Sequence, residues 1–418
     1  MNNMKTITRC RSCESRRIRR FFDLGAQPPA NSLPDNPNAR EKHYPLSLSR
    51  CMDCGLIQLN ETVDPRLLFS HYLWVTGTSG AARAFAEQFS RACLARAGDM
   101  TARYVLEIAS NDGTFLLPFQ KKGYAVLGVD PAKNLVALAR RLTVPTECVF
   151  FGKYQAERIR ARRGAAGLVI ARNVVPHVAN TRDFVAGLAA AVHEEGVVAV
   201  EAHYAKIMLE ELHYDSIYHE HLCYFTFKTL ERLLNEFGLF VFDATRSPIS
   251  GGSIVAYASR IKRPERVSVR RLRAMEAKAE TNSFSSWRNF AGRAREHRQA
   301  FISLLWREAR AKRRIVGYGA SARSSTLLNF CGIDRRMIEA IADQNPLKHG
   351  RWTAGSHIPI KDPAEIFAMH PDAVCILAWN FKDEIMRNAR HIYGYRGPFI
   401  VPLPFKPARI PWPTRKDQ

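Results

Sequence analysis

Short apolar runs alternate with stretches of helical periodicity along residues 75–260 of the 418-residue chain. Apolar runs bounded by turn residues are typical of buried parallel strands. The predicted strands are Tyr104–Ala109, Ala125–Val129, Gly167–Ala171 and Val197–Glu201, and the predicted helices between them are Ala132–Leu142 and Arg182–Val192. Such an alternation predicts βαβ units around a parallel sheet.

A second α/β alternation follows a long helical stretch. Residues 264–311 are polar and nearly free of Pro and Gly, which predicts a helical connector. The elements predicted after it are Arg314–Tyr318, Ser321–Phe330, Ile338–Ala342, Ala373–Ala378 and Lys382–Ala389. Residues 1–70 are rich in proline, which predicts loops. We therefore expect an N-terminal module at 1–70, a central α/β domain at 71–262, the connector at 263–312 and a Rossmann-like domain at 313–418.

Two Cys-x-x-Cys pairs lie in the N-terminal module. Cys10 and Cys13 form the first pair and Cys51 and Cys54 the second, with 37 residues between the pairs. Each pair can hold one edge of a tetrahedral ion, and four thiolates leave no position for water, which predicts a structural Zn²⁺ ion. The alternative is four unrelated buried cysteines.

The net charge of +23 favours binding partners that carry negative charge. It suits a polyanionic partner such as a nucleic acid, a membrane surface or a phosphorylated small molecule, although charge clusters are also common on solvated helix faces. No apolar run reaches the roughly 20 residues of a membrane span, and the basic N-terminus lacks the apolar core of a signal peptide. We expect a cytoplasmic monomer that binds no membrane, with nine cysteines that are metal ligands or free thiols.

The first predicted strand of the central domain ends in a polar turn. Dinucleotide sites use G-x-G-x-x-G at this place, so that pyrophosphate can reach the helix N-terminus. Here Ala109 and Asn111 occupy the first two glycine positions and Gly113 follows, which suits a cofactor without phosphates. Asp130 ends the next strand, 23 residues after Glu107, where a carboxylate can accept hydrogen bonds from both ribose hydroxyls. Glu107 itself can hold an ammonium group of such a cofactor, directly or through a water molecule; the alternative is a purely structural turn.

Polar side chains are concentrated in two later segments. Asn173 and His177 follow the third strand, at the carboxyl edge where Rossmann-type active sites lie. The segment Tyr218–His221 places a phenol, two imidazoles and a carboxylate at consecutive positions, which is poor material for a core and favours proton transfer. A metal site at His219 and His221 is the alternative. It ranks below proton transfer, because no further carboxylate ligand is evident.

These motifs together resemble those of the nucleotide-sugar C-methyltransferases of deoxysugar biosynthesis, over nearly the whole chain. The resemblance is carried by the two Cys-x-x-Cys pairs, residues 107–113, Asn173, His177, Tyr218–His221, Tyr224, Phe225 and residues 251–253, 317–323, 343–346 and 357–360. It implies an α/β protein with an N-terminal zinc-binding module, a central class I Rossmann-like methyltransferase domain that binds S-adenosylmethionine, and a C-terminal Rossmann-like domain that helps to hold the nucleotide sugar. The cofactor-binding residues that it implies are Glu107, Ala109, Asn111, Gly113, Asp130 and Asn173.

The resemblance also implies methylation of a carbon beside a ketone, at C-3 of a nucleotide-linked 4-keto-deoxysugar. Carbon becomes nucleophilic only after deprotonation, and a neutral imidazole is a suitable base for a proton acidified by a carbonyl. We assign this base to His221, while Glu220 orients a neighbouring group. Tyr218 and His177 would donate hydrogen bonds to the enolate oxygen, and Tyr72 would contact the substrate near the reacting carbon.

A glycine-containing turn opens the first helix of the C-terminal domain. Its backbone N–H groups can bind the diphosphate of the substrate at a helix N-terminus, and an arginine in the first turn can add charge-assisted hydrogen bonds. The predicted substrate-binding residues are Tyr72, Gly317, Tyr318, Gly319, Ala320, Ser321 and Arg323. The alternative is a tight Rossmann turn that binds no ligand.

Other functions remain open for this sequence. A zinc-ribbon RNA methyltransferase would fit the positive charge, but Asn173–His177 lacks the Asn-Pro-Pro-aromatic motif typical of base methylation, and no aromatic stacking platform is evident. A binding module without catalysis would not need the Tyr218–His221 cluster. A member of the same family could also methylate oxygen or a ketone that is not a sugar.

Overall fold

The computed structural model describes residues 4–70, 72, 74–98, 100, 103–247 and 251–411. The chain forms two compact units, each assembled from three segments of sequence. The first unit comprises residues 1–20, 49–206 and 222–284, and the second comprises residues 21–48, 207–221 and 285–418. The strands Ile18–Gln27 and Tyr44–Cys51 each continue from one unit into the other. The two units therefore do not follow the order of the sequence.

A seven-stranded sheet forms the centre of the first unit. In spatial order its strands are Phe240–Ser247, Ser253–Ser259, Val192–His203, Ala166–Arg172, Val105–Ile108, Val126–Val129 and Thr146–Glu147. The last five strands are parallel to one another, and the first two are antiparallel to their neighbours. This sheet confirms the predicted Rossmann-like α/β fold, and it contains all the strands predicted for the central part of the chain.

Helices connect these strands. In the first unit they are Pro65–Phe69, Gly80–Ala97, Leu117–Lys121, Lys133–Arg141, Lys153–Arg163, Thr181–Ala191, Phe227–Asn235 and Val267–Lys278. The helix Gly80–Ala97 packs its buried residues Phe89 and Cys93 against the sheet around Leu168 and Ile170. Burial of these apolar side chains forms the core of the unit. None of the helices in the described part of the chain has both the length and the hydropathy needed to cross a membrane.

The N-terminal residues form strands where the proline-rich sequence predicted loops. These strands are Met4–Thr6, Ile18–Gln27, Tyr44–Cys51, Ile57–Leu59 and Glu61–Val63. Most of the prolines lie in the connection at residues 28–43, so they do not interrupt the strands. In Ile18–Gln27, Phe22 and Leu24 are buried on either side of the exposed Asp23, which is the period of two of a half-buried strand. The prediction of a loop-rich module is therefore wrong for these segments.

A six-stranded sheet forms the centre of the second unit. In spatial order its strands are Ile360–Lys361, Ile341–Ala342, Ile315–Tyr318, Ala373–Ile376, Phe399–Val401 and Ala408–Ile410. The first five are parallel, and the last is antiparallel to its neighbour. The helices of this unit are Ala322–Cys331, Pro363–Ala368 and Lys382–His391, and the helices Ala205–Glu211 and Phe284–Arg310 continue into it from the first unit. This sheet confirms the second α/β alternation that the sequence predicted.

Two helices replace the single helix predicted for residues 264–311. They are Val267–Lys278 and Phe284–Arg310. The turn between them includes Glu280 at a φ of 46°. Asn282 stabilises this turn, because its side chain donates to the Glu276 carboxylate and accepts from the Thr226 hydroxyl. Thr, Asn and Ser favour such turns through local hydrogen bonds, and this signal overrides the helical pattern.

Candidate functional site

The four cysteines of the N-terminal module converge in the first unit. The Sγ atoms of Cys10 and Cys54 lie 3.6 Å apart, those of Cys13 and Cys51 lie 3.5 Å apart, and all four sulfur atoms fall within 4.8 Å of one another. Tetrahedral Zn–S bonds of about 2.3 Å require sulfur atoms about 3.8 Å apart. The donor set and its spacing therefore fit a Zn²⁺ ion, and within the described residues this is the one cluster of His, Cys, Asp and Glu that could hold a metal.

Arg11, between the first two cysteines, forms hydrogen bonds within the zinc-binding module and one to a helix outside it. Its guanidinium donates to the Leu59 carbonyl oxygen at 2.9 Å, and its backbone amide donates to Oε1 of Gln58 at 3.0 Å. Its carbonyl oxygen accepts a hydrogen bond of 2.5 Å from the hydroxyl of Thr181, at the start of a helix. The sequence analysis gave Arg11 no role, because a single arginine carries no sequence signal of burial.

Asp130 follows the strand Val126–Val129, and its carboxylate is largely buried. Oδ2 accepts a hydrogen bond from the Asn111 amide at 2.9 Å, and Oδ1 accepts one from the Ala132 amide at 2.8 Å. Burial raises the pKa of Asp130 to about 6, although the two amide donors oppose this shift. Because a carboxylate has about four acceptor sites, each oxygen keeps one for a ribose hydroxyl.

Glu107 lies on the strand Val105–Ile108 and is almost fully buried. Burial raises the pKa of Glu107 to about 8, and the positive charge of Arg172 acts in the opposite direction. Within the described residues, its Oε2 atom is buried without a hydrogen-bond partner. A buried acceptor of this kind is costly unless a donor reaches it. The ammonium group of a bound S-adenosylmethionine is a donor of the right charge, so these residues fit the cofactor.

Three residues of the turn after Glu107 adopt the left-handed backbone conformation. The angle φ is 56° at Ala109, 54° at Asn111 and 81° at Gly113. Ala109 and Asn111 thus adopt a backbone conformation that favours glycine, the residue found at these positions in the G-x-G-x-x-G motif. For alanine this conformation costs about 1–2 kcal/mol of free energy. A Cβ atom at Gly113 would lie 2.9 Å from Cγ2 of Val144, which explains why glycine is needed there.

The side chain of Asn111 binds the segment that precedes the helix Gly80–Ala97. Its Oδ1 accepts from the Thr76 amide at 2.9 Å, and its Nδ2 donates to the Trp74 carbonyl oxygen at 3.1 Å. Oδ2 of the neighbouring Asp112 accepts from the backbone of the same segment at 2.8 Å. Asparagine at this glycine position therefore has a structural reason, because it holds the segment against the turn.

Asn111→Gly is expected to lower the free energy of unfolding by about 1–2 kcal/mol, because it preserves the backbone conformation but removes the side-chain hydrogen bonds to the Thr76 amide, the Asp112 amide and the Trp74 carbonyl oxygen. Ala109→Gly is the matched control. It relieves the same kind of backbone strain without removing a hydrogen bond, so stability should be unchanged or slightly higher. Thermal denaturation measures both variants, and equal losses would contradict a specific role for the Asn111 side chain.

Tyr72 and His177 come together around one aromatic ring of the first unit. The ring centroid of Phe69 lies 6.0 Å from that of Tyr72 and 5.7 Å from that of His177. The side chain of Asn134 fixes the Tyr72 backbone, because it accepts from the amide at 3.1 Å and donates to the carbonyl oxygen at 2.8 Å. The sequence analysis singled out Tyr72 and His177 but found neither of the residues that position them.

Asn173 lies at the carboxyl end of the strand Ala166–Arg172. Its φ is 49°, and its amide donates to the Glu201 carbonyl oxygen at 2.8 Å. This strand pairs in parallel with Val105–Ile108, so Asn173 lies at the same edge of the sheet as the turn after Glu107.

The segment Tyr218–His221 belongs to the second unit, where His221 has a defined tautomer. Its Nδ1 lies 2.7 Å from the Ser216 carbonyl oxygen, which can only accept, so this nitrogen carries a proton. Its Nε2 lies 2.8 Å from the Tyr218 hydroxyl. Burial raises the pKa of Tyr218 well above its usual value, so the phenol keeps its proton and donates it to this hydrogen bond. A neutral His221 therefore presents a basic Nε2 atom next to a protonated phenol.

His219 and Glu220, which lie between Tyr218 and His221 in the sequence, each have other hydrogen-bond partners. Oε1 of Glu220 accepts from Nδ2 of Asn31 at 2.6 Å. Nε2 of His219 lies 3.2 Å from the carbonyl oxygens of Tyr44 and Pro45, to which it donates, and burial lowers the pKa of His219. His219 is thus a buried packing residue, and no metal cluster forms at this segment within the described residues.

Arg323 is bound by a carboxylate of its own unit. Its Nε and Nη2 donate to the two oxygens of Asp215 at 3.0 and 2.9 Å, and its guanidinium lies 4.7 Å from the ring centroid of Trp379. Nε1 of Trp379 donates to the same carboxylate at 2.7 Å. The buried Asp215 therefore neutralises the positive charge of Arg323, and a diphosphate would have to compete with this carboxylate for the guanidinium.

The turn Gly317–Ser321 uses its backbone amides within the protein. The donor and acceptor pairs are Gly317 to the Ala340 carbonyl at 2.8 Å, Gly319 to the Ala342 carbonyl at 2.7 Å, Ala320 to the Asp343 carboxylate at 2.8 Å and Ser321 to the Ser324 hydroxyl at 2.6 Å. A Cβ atom at Gly317 would lie 2.8 Å from Ile341, so the packing of the sheet requires glycine. These amides have internal acceptors and the packing accounts for the glycine at 317, so the contact of this turn with a diphosphate stays a prediction.

Comparison with known families divides the chain into three matched parts. Residues 10–69 match a putative zinc binding domain, residues 80–243 match a methyltransferase domain, and residues 248–404 match a C-methyltransferase C-terminal domain. Among solved structures, magnesium protoporphyrin IX methyltransferase from Synechocystis with bound S-adenosylmethionine is 12% identical, with 43% of this chain and 79% of that chain covered at a TM-score of 0.33. DesVI from Streptomyces venezuelae is 20% identical, with 29% and 51% covered at a TM-score of 0.25. Similarity at these TM-scores carries no argument about function.

One relative is similar over nearly the whole chain. C-methyltransferase NovU from Streptomyces niveus is 32% identical over 405 residues, which are 96% of each chain. The four-cysteine cluster agrees with the zinc-binding match, and the parallel sheet agrees with the methyltransferase match. The chain therefore belongs to the S-adenosylmethionine-dependent C-methyltransferases and carries a zinc-binding N-terminal module.

Proposed function

We propose that this C-methyltransferase acts in the cytoplasm on a carbon next to a ketone, at C-3 of a nucleotide-linked 4-keto-deoxysugar. The observation that carries the proposal is the hydrogen-bonded pair of Tyr218 and His221, in which the phenol oxygen and Nε2 lie 2.8 Å apart. Enolisation needs such a pair, since one group removes a proton from carbon while the other stabilises the charge on oxygen.

The proton moves from the sugar carbon to Nε2 of His221. The electron pair of the C–H bond forms the double bond of the enolate, and the negative charge goes to the ketone oxygen. The Ser216 carbonyl oxygen, which accepts from the Nδ1–H group of His221 at 2.7 Å, stabilises the imidazolium that results. Before this transfer Tyr218 turns its hydroxyl from Nε2 to the ketone oxygen, which frees the Nε2 lone pair for the proton; Tyr218 then stabilises the enolate oxygen, and His177 is the second donor.

The enolate carbon is the nucleophile of the methyl transfer. S-adenosylmethionine, when bound, supplies a methyl group activated by a positively charged sulfur. Glu107 would hold the methionine end and Asp130 the ribose, while Tyr72 would pack beside the sugar. Placing the reacting atoms about 3–3.5 Å apart supplies much of the remaining acceleration.

Two further assignments belong to the same proposal. Glu220, whose carboxylate accepts a hydrogen bond from Asn31 at 2.6 Å, orients the neighbouring Tyr218, and its negative charge helps to raise the pKa of the phenol. Arg323 and the turn Gly317–Ser321 are the proposed contacts of the diphosphate. Because Arg323 is bound to a carboxylate and the turn amides have internal acceptors, we expect this region to rearrange when the substrate binds.

Incubation of the purified protein with S-adenosylmethionine and a panel of nucleotide-linked 4-keto-deoxysugars tests the proposal. Mass spectrometry should find a product heavier by one CH2 group, and NMR should place the new methyl group at C-3. The corresponding 4-hydroxy sugars are the matched control, because they lack a proton acidified by a ketone. A methylated 4-hydroxy sugar would indicate O-methylation, and methylation of RNA in a parallel incubation would support the nucleic-acid alternative. Either outcome without C-3 methylation would overturn the proposal.

Asp130→Ala is expected to weaken binding of S-adenosylmethionine by about 10- to 100-fold, because a hydrogen bond to a charged acceptor contributes about 1.5–3 kcal/mol. Asp130→Asn keeps one acceptor oxygen and should lose less. Isothermal titration calorimetry on both variants measures the effect. An affinity equal to that of the wild type in Asp130→Ala would move the ribose site away from this carboxylate.

A further inference from the structure

Three charged side chains lie on one face of the central sheet of the first unit. Glu107 pairs in register with Ile170, and Arg172 pairs in register with Glu201 on the next parallel strand. Residues two apart in a strand point to the same side, so Ile170 and Arg172 share a face. Glu107, Arg172 and Glu201 therefore lie side by side on a face that is otherwise apolar.

Arg172 is fixed from several sides. Its Nη2 atom forms an ion pair of 2.6 Å with Oε2 of Glu201, and the two side chains are 8% and 0% exposed. The guanidinium carbon lies 3.2 Å from the ring centroid of Phe115 and 5.0 Å from that of Phe89. Aromatic faces attract a guanidinium, and this attraction is stronger where water is excluded. Arg172 is therefore a positive charge held at a fixed place inside the unit.

Stability alone does not account for this pair. A buried ion pair loses much of its attraction to the cost of desolvation, and apolar residues of similar size are often as stable. What distinguishes the pair is its position on the same sheet face as Glu107, whose buried Oε2 fits a donor of the cofactor. The charged or titratable groups that face this array are Arg172 and Glu201 on neighbouring strands, Asp112 in the following turn, Asp130 after the next strand and the Cys93 thiol on the helix Gly80–Ala97.

We propose that Arg172 is a positioning residue for the cofactor, because it supplies a positive charge that favours the carboxylate form of Glu107, which is the form able to accept the ammonium group of S-adenosylmethionine. Glu201 holds Arg172 in place and limits its effect. The inference rests on the proposed assignment of Glu107 to the methionine end of the cofactor.

The direction of each effect follows from the charges. Burial raises the pKa of Glu107 to about 8, the positive charge of Arg172 opposes this shift, and the charges of Asp112, Asp130 and Glu201 add to it. If the cofactor binds the ionised form, its affinity rises as the pH increases through this value. Removing the positive charge of Arg172 should move the midpoint of this rise to higher pH, and removing the negative charge of Glu201 should move it to lower pH.

The test is the dissociation constant of S-adenosylhomocysteine, measured by calorimetry on the full chain from about pH 6 to about pH 10. The proteins are the wild type, Arg172→Met, Arg172→Lys and Glu201→Gln. Arg172→Met should shift the midpoint upward by about one pH unit or more and weaken binding roughly tenfold or more at neutral pH. Glu201→Gln should shift it downward, and Arg172→Lys, which keeps the charge, should stay close to the wild type. The ligand's own ammonium titrates equally in all four experiments, so differences between proteins report on the protein.

Opposite shifts are a result that loss of packing cannot produce. If Arg172→Met does not fold, the downward shift in Glu201→Gln and the retained midpoint in Arg172→Lys still decide the question. Midpoints equal to that of the wild type, or losses that are the same at every pH, would overturn the role of Arg172. Glu107→Gln separates the assignment of Glu107 from the inference about Arg172. If this variant binds the ligand with wild-type affinity and pH dependence, the assignment of Glu107 fails. If Glu107→Gln removes the pH dependence but the Arg172 and Glu201 variants keep the wild-type midpoint, only the inference about Arg172 fails.

Discussion

His221→Asn is expected to lower kcat by about 10²- to 10⁴-fold, which is the usual contribution of a general base. Asparagine is polar and slightly smaller, but it has no nitrogen that can take a proton. The affinity for S-adenosylmethionine should be unchanged, because His221 is not one of the proposed cofactor-binding residues. Steady-state kinetics and calorimetry on the same preparation separate the two quantities.

His219→Gln is the matched control for this prediction. His219 is buried and donates Nε2–H to two backbone carbonyl oxygens at 3.2 Å, a role that the amide of glutamine can take over. This variant should keep most of its kcat. Similar losses in both variants would mean that the segment needs intact packing, and wild-type activity in His221→Asn would exclude it as the base.

Replacing Cys51 by Ser is expected to cause the largest loss of stability. Structural zinc contributes about 10–16 kcal/mol to the folding of isolated zinc-finger peptides, because the metal binds only the folded chain. Loss of one thiolate opens the closed shell of four sulfur atoms. The carbonyl groups of Leu59 and Glu61, which Arg11 binds at 2.9 and 3.3 Å, then lose their anchor. We expect the N-terminal module to unfold at a temperature at which the wild type is stable.

Elemental analysis should find about one zinc ion per wild-type chain and almost none in Cys51→Ser. Cys148→Ser is the control, because this cysteine is exposed and lies outside the cluster. It should retain both zinc and stability. A stable wild-type protein without zinc, or a Cys51→Ser protein with an unchanged melting temperature, would contradict a structural role of the metal.

The central sheet could be predicted from the sequence because its strands are buried on both sides. Such strands appear as uninterrupted apolar runs, and Val126–Val129 agrees with the prediction to within one residue at its start. The N-terminal strands were missed because the prolines of the connection at residues 28–43 made the whole module read as loops, and because Ile18–Gln27 is exposed at half of its positions. The turn at Asn282 was missed in part because its hydrogen bond to Thr226 joins residues distant in sequence.

The candidate site could be predicted only where a residue type carries its own signal. Four cysteines in two pairs indicate a metal, and a carboxylate at the end of a strand indicates a ribose. Arg172 carries no such signal, because its burial depends on Glu201 in another strand. The turn Gly317–Ser321 carries a less specific signal. Its glycines predicted a ligand, but the packing against Ile341 and the internal acceptors of its amides also fit a tight turn, so this contact stays a prediction.

Deuterium uptake at the sugar carbon tests enolate formation by His221 most directly. In D2O, with S-adenosylhomocysteine in place of the methyl donor, the wild type should replace the C-3 proton of the nucleotide-linked 4-keto-deoxysugar by deuterium faster than buffer alone, because solvent reprotonates the enolate. NMR follows the loss of the C-3 proton signal. His221→Asn should exchange no faster than buffer. Exchange by His221→Asn at the wild-type rate, or no enzyme-dependent exchange by a wild-type protein that still methylates the sugar, would contradict this role.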